Sequence, residues 1–171
     1  MRIFLIGFMG CGKSYTGRRL SQSIGVPFID LDDHITRRAG QSINQLFAER
    51  GEAEFRREES AALQELLALP TFVMATGGGT PCYHDGIKRL NAAGTTIFID
   101  SSLALLTERL ERGRDKRPLL QTTMPLAVYV RSKLAERRPY YEKAHHRIEV
   151  DDPATDVARL ILERVSPQPH S

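Results

Sequence analysis

Along the chain, short apolar runs alternate with amphipathic stretches. Arg2–Ile6 is a β-branched and aromatic run that ends at Gly7 and reads as a first buried strand. A helix is predicted over 12–24, stopped by Gly25 with Pro27 just beyond. Residues 27–30 (PFID) read as a second short strand. Ser42 and Gln45 stand at capping-box spacing, Ile43, Leu46 and Phe47 give that helix an apolar side, and Gly51 ends it. A longer helix, rich in alanine, leucine and glutamate, is predicted over 52–69. Residues 71–75 (TFVMA) form a third strand running into Gly77, Gly78 and Gly79.

The pattern then repeats. A helix is predicted over 84–93 with Gly94 past its end, and a fourth strand over 95–99. Leu103–Arg112 is a helix with Leu103, Leu106 and Leu110 on one stripe. The polar, arginine-rich stretch 113–123 breaks the pattern and reads as a mobile loop. Residues 125–135 are predicted helical, and 147–150 a short fifth strand. Asp152 followed by Pro153 reads as a cap with proline at the first helical position. It would open a last helix carrying Val157, Leu160, Ile161 and Val165.

Fully apolar strands alternating with helices indicate an α/β protein with a parallel sheet between two helical layers. Ligands then bind beyond the carboxyl ends of the strands. The loops that matter follow Ile6, Asp30, Ala75 and Ile99. No linker separates the elements, so 1–171 reads as one domain. The opening residues mimic a signal peptide, but the apolar run breaks at Gly7 and Lys13 follows without a small-residue cleavage site.

Composition narrows the class. The 171 residues carry 24 Lys+Arg and 21 Asp+Glu, a net charge of +3 that argues against a whole-surface field for nucleic acid. Many arginines fall between Arg109 and Arg147, which fits a local site for an anionic small molecule. Cys11 and Cys82 are the only cysteines, so there is no disulfide framework and no four-cysteine zinc site, and a cytoplasmic location is expected. No apolar run approaches the ~20 residues that span a bilayer.

The chemistry begins at GFMGCGKS, residues 7–14, which satisfies G-x-x-x-x-G-K-[ST] between a buried strand and a helix. Backbone N–H groups over Gly10, Cys11, Gly12 and Tyr15 and the helix N-terminus would cradle phosphate oxygens of a nucleoside triphosphate. Lys13 reaches the β- and γ-phosphates, and the Ser14 hydroxyl can ligate Mg²⁺. Cys11 reads as a small space-filler, although a helix N-terminus can lower a thiol pKa. Asp30 ends the second strand on the ligand side, with Asp32 and Asp33 next. One carboxylate can hold a Mg²⁺ water while another meets a substrate hydroxyl, and helix capping is the plainer role for Asp33. Gly77, Gly78 and Gly79 let a ligand touch the backbone. Arg56, Arg57, Arg117, Arg137 and Arg138 are candidate forks for carboxylate or phosphate. His145 and His146 have no third metal-ligand candidate spaced nearby and read as surface or packing residues.

Six segments, in order and spacing, resemble shikimate kinases: GFMGCGKS, FIDLDDHI, GEAEFRREE, TGGGT, RPLL and RRPYYEKA. The match covers essentially residues 1–150. The resemblance implies a nucleoside-monophosphate-kinase-like fold with five parallel strands in the order 2-3-1-4-5. It implies transfer of the γ-phosphoryl of ATP to the 3-hydroxyl of shikimate, on the route to aromatic amino acids. It implies phosphate and Mg²⁺ roles for Lys13 and Ser14, and a water-mediated Mg²⁺ role for Asp30. Asp32 would bind the shikimate hydroxyls, Arg56 and Arg137 its carboxylate, and Gly78 would donate a backbone bond. Arg117 would be the cation of a lid over about 113–124, and 32–60 the acceptor-binding segment. A monomer is expected, with ATP and shikimate as partners and neither nucleic acid nor membrane.

Tyr15 stands where the family usually has threonine, and Cys11 where alanine is commoner. Either Arg109 or Arg112 would lie against adenine, and no nucleotide contact is legible around Asp151. Gluconate kinase or a nucleotide kinase shares the core motif. A nucleotide-dependent switch would need switch segments, and a guanine-selective N-K-x-D is absent.

Overall fold

The computed structural model describes residues 1–113 and 123–166. Its centre is a five-stranded parallel sheet in the order β2-β3-β1-β4-β5, with helices on both faces. The strands are β1 (Arg2–Ile6), β2 (Phe28–Asp30), β3 (Phe72–Ala75), β4 (Thr95–Ser101) and β5 (His146–Val150). In β1, residues Ile3, Phe4, Leu5 and Ile6 are each at most 1% exposed, as a strand covered on both faces requires. Burying each such side chain stabilises the fold by roughly 1.5–3 kcal/mol. Phe4 and Phe72 meet edge-on across the β1–β3 pair, with ring centroids 5.5 Å apart.

Register places the functional rim. Ala75 lies opposite both Leu5 and Asp30. The carboxyl ends of β2, β3 and β1 therefore finish side by side, and the loops after them start from one edge. The helices are α1 (Lys13–Ile24), α2 (Leu31–Ala39), α3 (Ile43–Leu66), α4 (Gly86–Ala93), α5 (Leu103–Arg112), α6 (Leu126–Tyr141) and α7 (Val157–Val165). The capping box at Ser42 and Gln45 is formed, and Gly51 leaves helical angles inside α3, at the break read from the sequence.

Four elements differ from expectation, each for a local reason. Helix α2 is absent from the sequence-based elements. Its cap is Asp30, whose carboxylate accepts from the N–H groups of Asp32 and Asp33, so neither Asp32 nor Asp33 is the capping residue. Helix α4 starts at Gly86, because His84 and Asp85 adopt left-handed backbone angles. Helix α6 runs past Ala135 and through Pro139. Its far end is held by buried Tyr141, and the proline sits in the last turn, where one lost backbone bond is tolerable. Helix α7 opens at Val157, capped by Asp156, whereas Asp152 closes a turn by accepting from Ala154 N at 2.8 Å. That shift leaves 153–156 as a loop on the functional rim. The predicted loop at 113–123 lies, apart from its ends, outside the described residues.

Candidate active site

A cleft of about 570 Å³ opens at the rim, lined by the loop after β1, the start of α1, Asp30, Asp32, Thr76, Gly77, Gly78, Arg109 and residues from Pro153 to Ala158. Gly10, Cys11, Gly12, Lys13, Ser14 and Tyr15 all line it. The Lys13 ammonium donates to its own loop, to the carbonyls of Gly7 at 2.8 Å and Phe8 at 3.0 Å. The lysine thus closes the loop on itself and stands at its mouth. Cys11 is buried, with Sγ 3.7 Å from Lys13 Nζ. It fills the turn, as expected of a small residue.

Ser14 Oγ donates to Asp30 Oδ2 at 2.5 Å. The other oxygen of Asp30 accepts from Asp32 N at 3.1 Å and Asp33 N at 3.3 Å. One carboxylate therefore caps α2 and ties its start to the phosphate loop. The hydroxyl and carboxylate are hard oxygen donors that suit Mg²⁺, which needs few protein ligands beside phosphate and water. Among the described residues no cluster of three His, Cys, Asp or Glu side chains could hold a metal alone. The Asp32 carboxyl is pushed up to about 6, first by burial, then by the charges of Glu59 and Asp30, against the pull of Lys13 and Arg56. Asp33 is exposed, and its backbone N–H is what meets Asp30.

The glycine turn after β3 is where side chains from three helices meet. A Cβ on Gly79 would lie 2.4 Å from a guanidinium nitrogen of Arg56, and one on Gly78 would lie 2.9 Å from Arg137 Nη1. Only glycine admits both arginines at these distances. Asp32 and Glu59 each come within 3.1 Å of the corresponding point on Gly77. The turn is pinned from below by Tyr141, whose hydroxyl donates to Gly78 O at 2.6 Å. Burial raises the Tyr141 phenol far above its ordinary range, so it stays a donor. Arg137 also lies over the Phe8 ring at 5.6 Å, so it spans the glycine turn and the phosphate loop.

Arg56 is buried and needs its charge answered. Glu59 Oε1 accepts from it at 3.0 Å, Glu52 at 3.4 Å, and the Tyr83 ring lies 4.2 Å from its centre. Glu59 also accepts from Thr80 Oγ1 at 2.7 Å. Arg57 is turned to Glu54 on the exposed side of α3. Arg138 faces away from Arg137 and binds Asp100 through both terminal nitrogens at 3.0 Å, beside Arg147. Burial pushes the Cys82 thiol up to about 11, which favours its protonated form. His145 Nδ1 pairs with Thr96, a packing role. Arg117 lies outside the described residues.

Sequence reasoning missed several residues here. Arg19, Thr155 and Asp156 stand in none of the segments singled out, while Glu59 and Tyr141 lie within GEAEFRREE and RRPYYEKA without being picked out there. Glu59 falls three residues after Arg56, a helical pairing distance that could have exposed it. Of the two arginines that could lie against adenine, Arg109 donates to Gly10 O at 3.2 Å and lines the cleft. Arg112 points outward to Glu108.

A phosphate loop on a parallel sheet, with two arginines against the glycine turn on the same rim, is the arrangement of a phosphate-loop kinase that acts on a small anionic molecule. The family pattern for shikimate kinase matches residues 9–166. A shikimate kinase of Phocaeicola vulgatus is 40% identical over 153 residues, 88% of this chain and 87% of that protein. The crystal structure of shikimate kinase from Bacteroides thetaiotaomicron superposes with a TM-score of 0.91 at 34% identity, covering 96% of this chain and 98% of the other. The solved structure of shikimate kinase from Acinetobacter baumannii in complex with shikimate gives a TM-score of 0.89 at 35% identity, covering 96% of this chain and 92% of the other. The chain belongs to the shikimate kinase family, enzymes that phosphorylate the 3-hydroxyl of shikimate with ATP on the route to aromatic amino acids. That membership sets aside gluconate kinase, nucleotide kinase and switch readings.

Proposed function

We propose that ATP and shikimate meet between the phosphate loop and the glycine turn. Gly10, Cys11, Gly12, Ser14 and Tyr15 present backbone N–H groups to the phosphates. Lys13 exchanges the carbonyls of Gly7 and Phe8 for β- and γ-phosphate oxygens. Ser14 and, through water, Asp30 would hold Mg²⁺, which would neutralise phosphate charge when bound. Arg109 lies against the base. Arg56 and Arg137 grip the shikimate carboxylate, and the backbone of Gly77, Gly78 and Gly79 lines the ring. Arg117 is assigned by its RPLL segment alone, as the cation of the lid.

Asp32 accepts a hydrogen bond from the 3-hydroxyl and takes its proton as the new bond forms. The hydroxyl oxygen bonds to the γ-phosphorus, the bond to the β–γ bridging oxygen breaks, and ADP leaves. The transition state is loose, so positioning and charge stabilisation dominate. A carboxyl titrating near 6 is ionised yet still basic at neutral pH, which suits that role.

The observation that carries this reading is the pair of guanidiniums on consecutive glycines, Arg56 on Gly79 and Arg137 on Gly78, beside Asp32. A pocket of that kind matches one carboxylate on a hydroxylated ring. The enzyme is assigned as a monomer. No helix among the described residues is long and apolar enough to cross a membrane. Separately, the use of ATP as donor favours the cytoplasm as the site of action. The test is ADP release with shikimate, with gluconate and without acceptor. Release that depends on shikimate alone is expected. Equal release in all three would overturn the acceptor assignment.

A further inference from the structure

Tyr15 is 67% exposed, yet it is not a loose surface side chain. It lies in the first turn of α1, immediately after the phosphate-binding Ser14, and lines the cleft. Arg19, one turn further on, donates to the Tyr15 hydroxyl at 3.2 Å and places its guanidinium 5.7 Å from the ring centre. A second guanidinium nitrogen reaches Asp156 Oδ2 at 3.1 Å. Asp156 is fixed in turn, because its other oxygen caps α7 by accepting from Arg159 N at 3.2 Å. The ring is thus held by its hydroxyl and by one face, through a bridge from α1 to the start of α7.

The position of this bridge indicates its use. Asp32, Gly77 and Gly78 mark the acceptor end of the cleft, and Thr155, Asp156, Val157 and Ala158 line it beside the bridge. A nucleoside triphosphate whose γ-phosphate faces the acceptor must extend its nucleoside past Ser14, towards Tyr15. Arg19 there is answered by Asp156, so it is not a free cation competing for phosphate. What the bridge offers is an aromatic face in a set orientation, at small further cost in side-chain entropy.

We propose that the Tyr15 ring is a contact surface for the nucleoside of the phosphoryl donor, and that Arg19 and Asp156 are positioning residues for that ring. The proposal rests on the phosphate-loop reading above, and the test separates the two. ADP and inorganic tripolyphosphate are compared as inhibitors of the wild type and of Tyr15→Ala, Tyr15→Phe, Arg19→Met and Asp156→Asn. Replacing an aromatic side chain that stacks on a base by alanine weakens binding by roughly 5- to 100-fold. Tyr15→Ala should therefore weaken ADP, and raise the KM for ATP, about tenfold, with tripolyphosphate inhibition and the KM for shikimate unchanged. Tyr15→Phe keeps the ring and should lose only about twofold to threefold, as should Arg19→Met and Asp156→Asn. Unchanged ADP inhibition in Tyr15→Ala would overturn the proposal. Equal weakening of ADP and tripolyphosphate would also overturn it, by placing the effect on the phosphate cradle. Failure of tripolyphosphate to inhibit the wild type would strike the phosphate-loop reading instead.

Discussion

The two halves of the cleft are built by different means. The proposed phosphate half is a contiguous stretch, residues 7–15, in which the assigned groups are backbone N–H groups, one lysine and one hydroxyl. In the proposed acceptor half, Asp32, Gly77 and Gly78 line the cleft, while Arg56 and Glu59 from α3 and Arg137 and Tyr141 from α6 stand against the glycine turn without lining it. A backbone cradle tolerates varied side chains, which is why Cys11 and Tyr15 can stand in it. The acceptor half has less latitude, because the buried charge of Arg56 must be answered by groups that the fold places. Arg56 needs Glu59, Glu59 needs Thr80, and both arginines need glycines beneath them.

Breaking the phosphate half should give the largest loss. Lys13→Ala should lower kcat at least about 10²-fold, or ~3 kcal/mol, with shikimate binding preserved when measured separately by calorimetry. Asp32→Asn should come next, lowering kcat on the order of 10²-fold with little effect on the KM for ATP. Equal damage to kcat and ATP affinity would move Asp32 from the acceptor half to the metal.

Two pH experiments sharpen the contrast further. The kcat/KM profile for shikimate should fall on the acid side with an apparent pKa near 6, set by Asp32. Glu59→Gln removes a negative neighbour and should move that limb to lower pH; a limb that does not move would uncouple the two carboxylates. Stability carries the same signature with a definite sign. A carboxyl raised in the folded state contributes stability that is complete below its ordinary pKa of 3.8 and is lost as pH rises through about 6. Asp32→Asn should therefore unfold at higher denaturant than the wild type at pH 7–8, by up to about 3 kcal/mol, and match it near pH 4.

The halves also differ in how far the sequence discloses them. The sheet, the phosphate loop and the break at Gly51 follow from local patterns: apolar runs, turn residues and caps. Asp32, Arg56 and Arg137 are legible through segments resembling a family, and the structure brings them to one rim. The rest depends on distance in space. Helix α2 is hidden because its nine residues follow β2 without a gap, and Asp30 serves as strand end and cap at once. Helix α6 outlasts its proline because Tyr141 is anchored in the core, which no local rule contains. The loop at 153–156 reads as helix because Asp152 and Pro153 imitate a cap, while Asp156 supplies the real one.

The central claim is that the two halves bind separate ends of the reaction, and Arg137→Ala tests it most directly. Arg137 is only partly buried and carries no buried ion pair among the described residues, so its loss should leave the fold intact. A charge-assisted contact is worth roughly 1.5–3 kcal/mol, so the KM for shikimate should rise roughly 10- to 100-fold. Lysine should rescue poorly for want of a planar fork. With each substrate varied in turn, the KM for ATP should stay within about twofold. A variant that loses ATP affinity and keeps shikimate affinity would contradict the account.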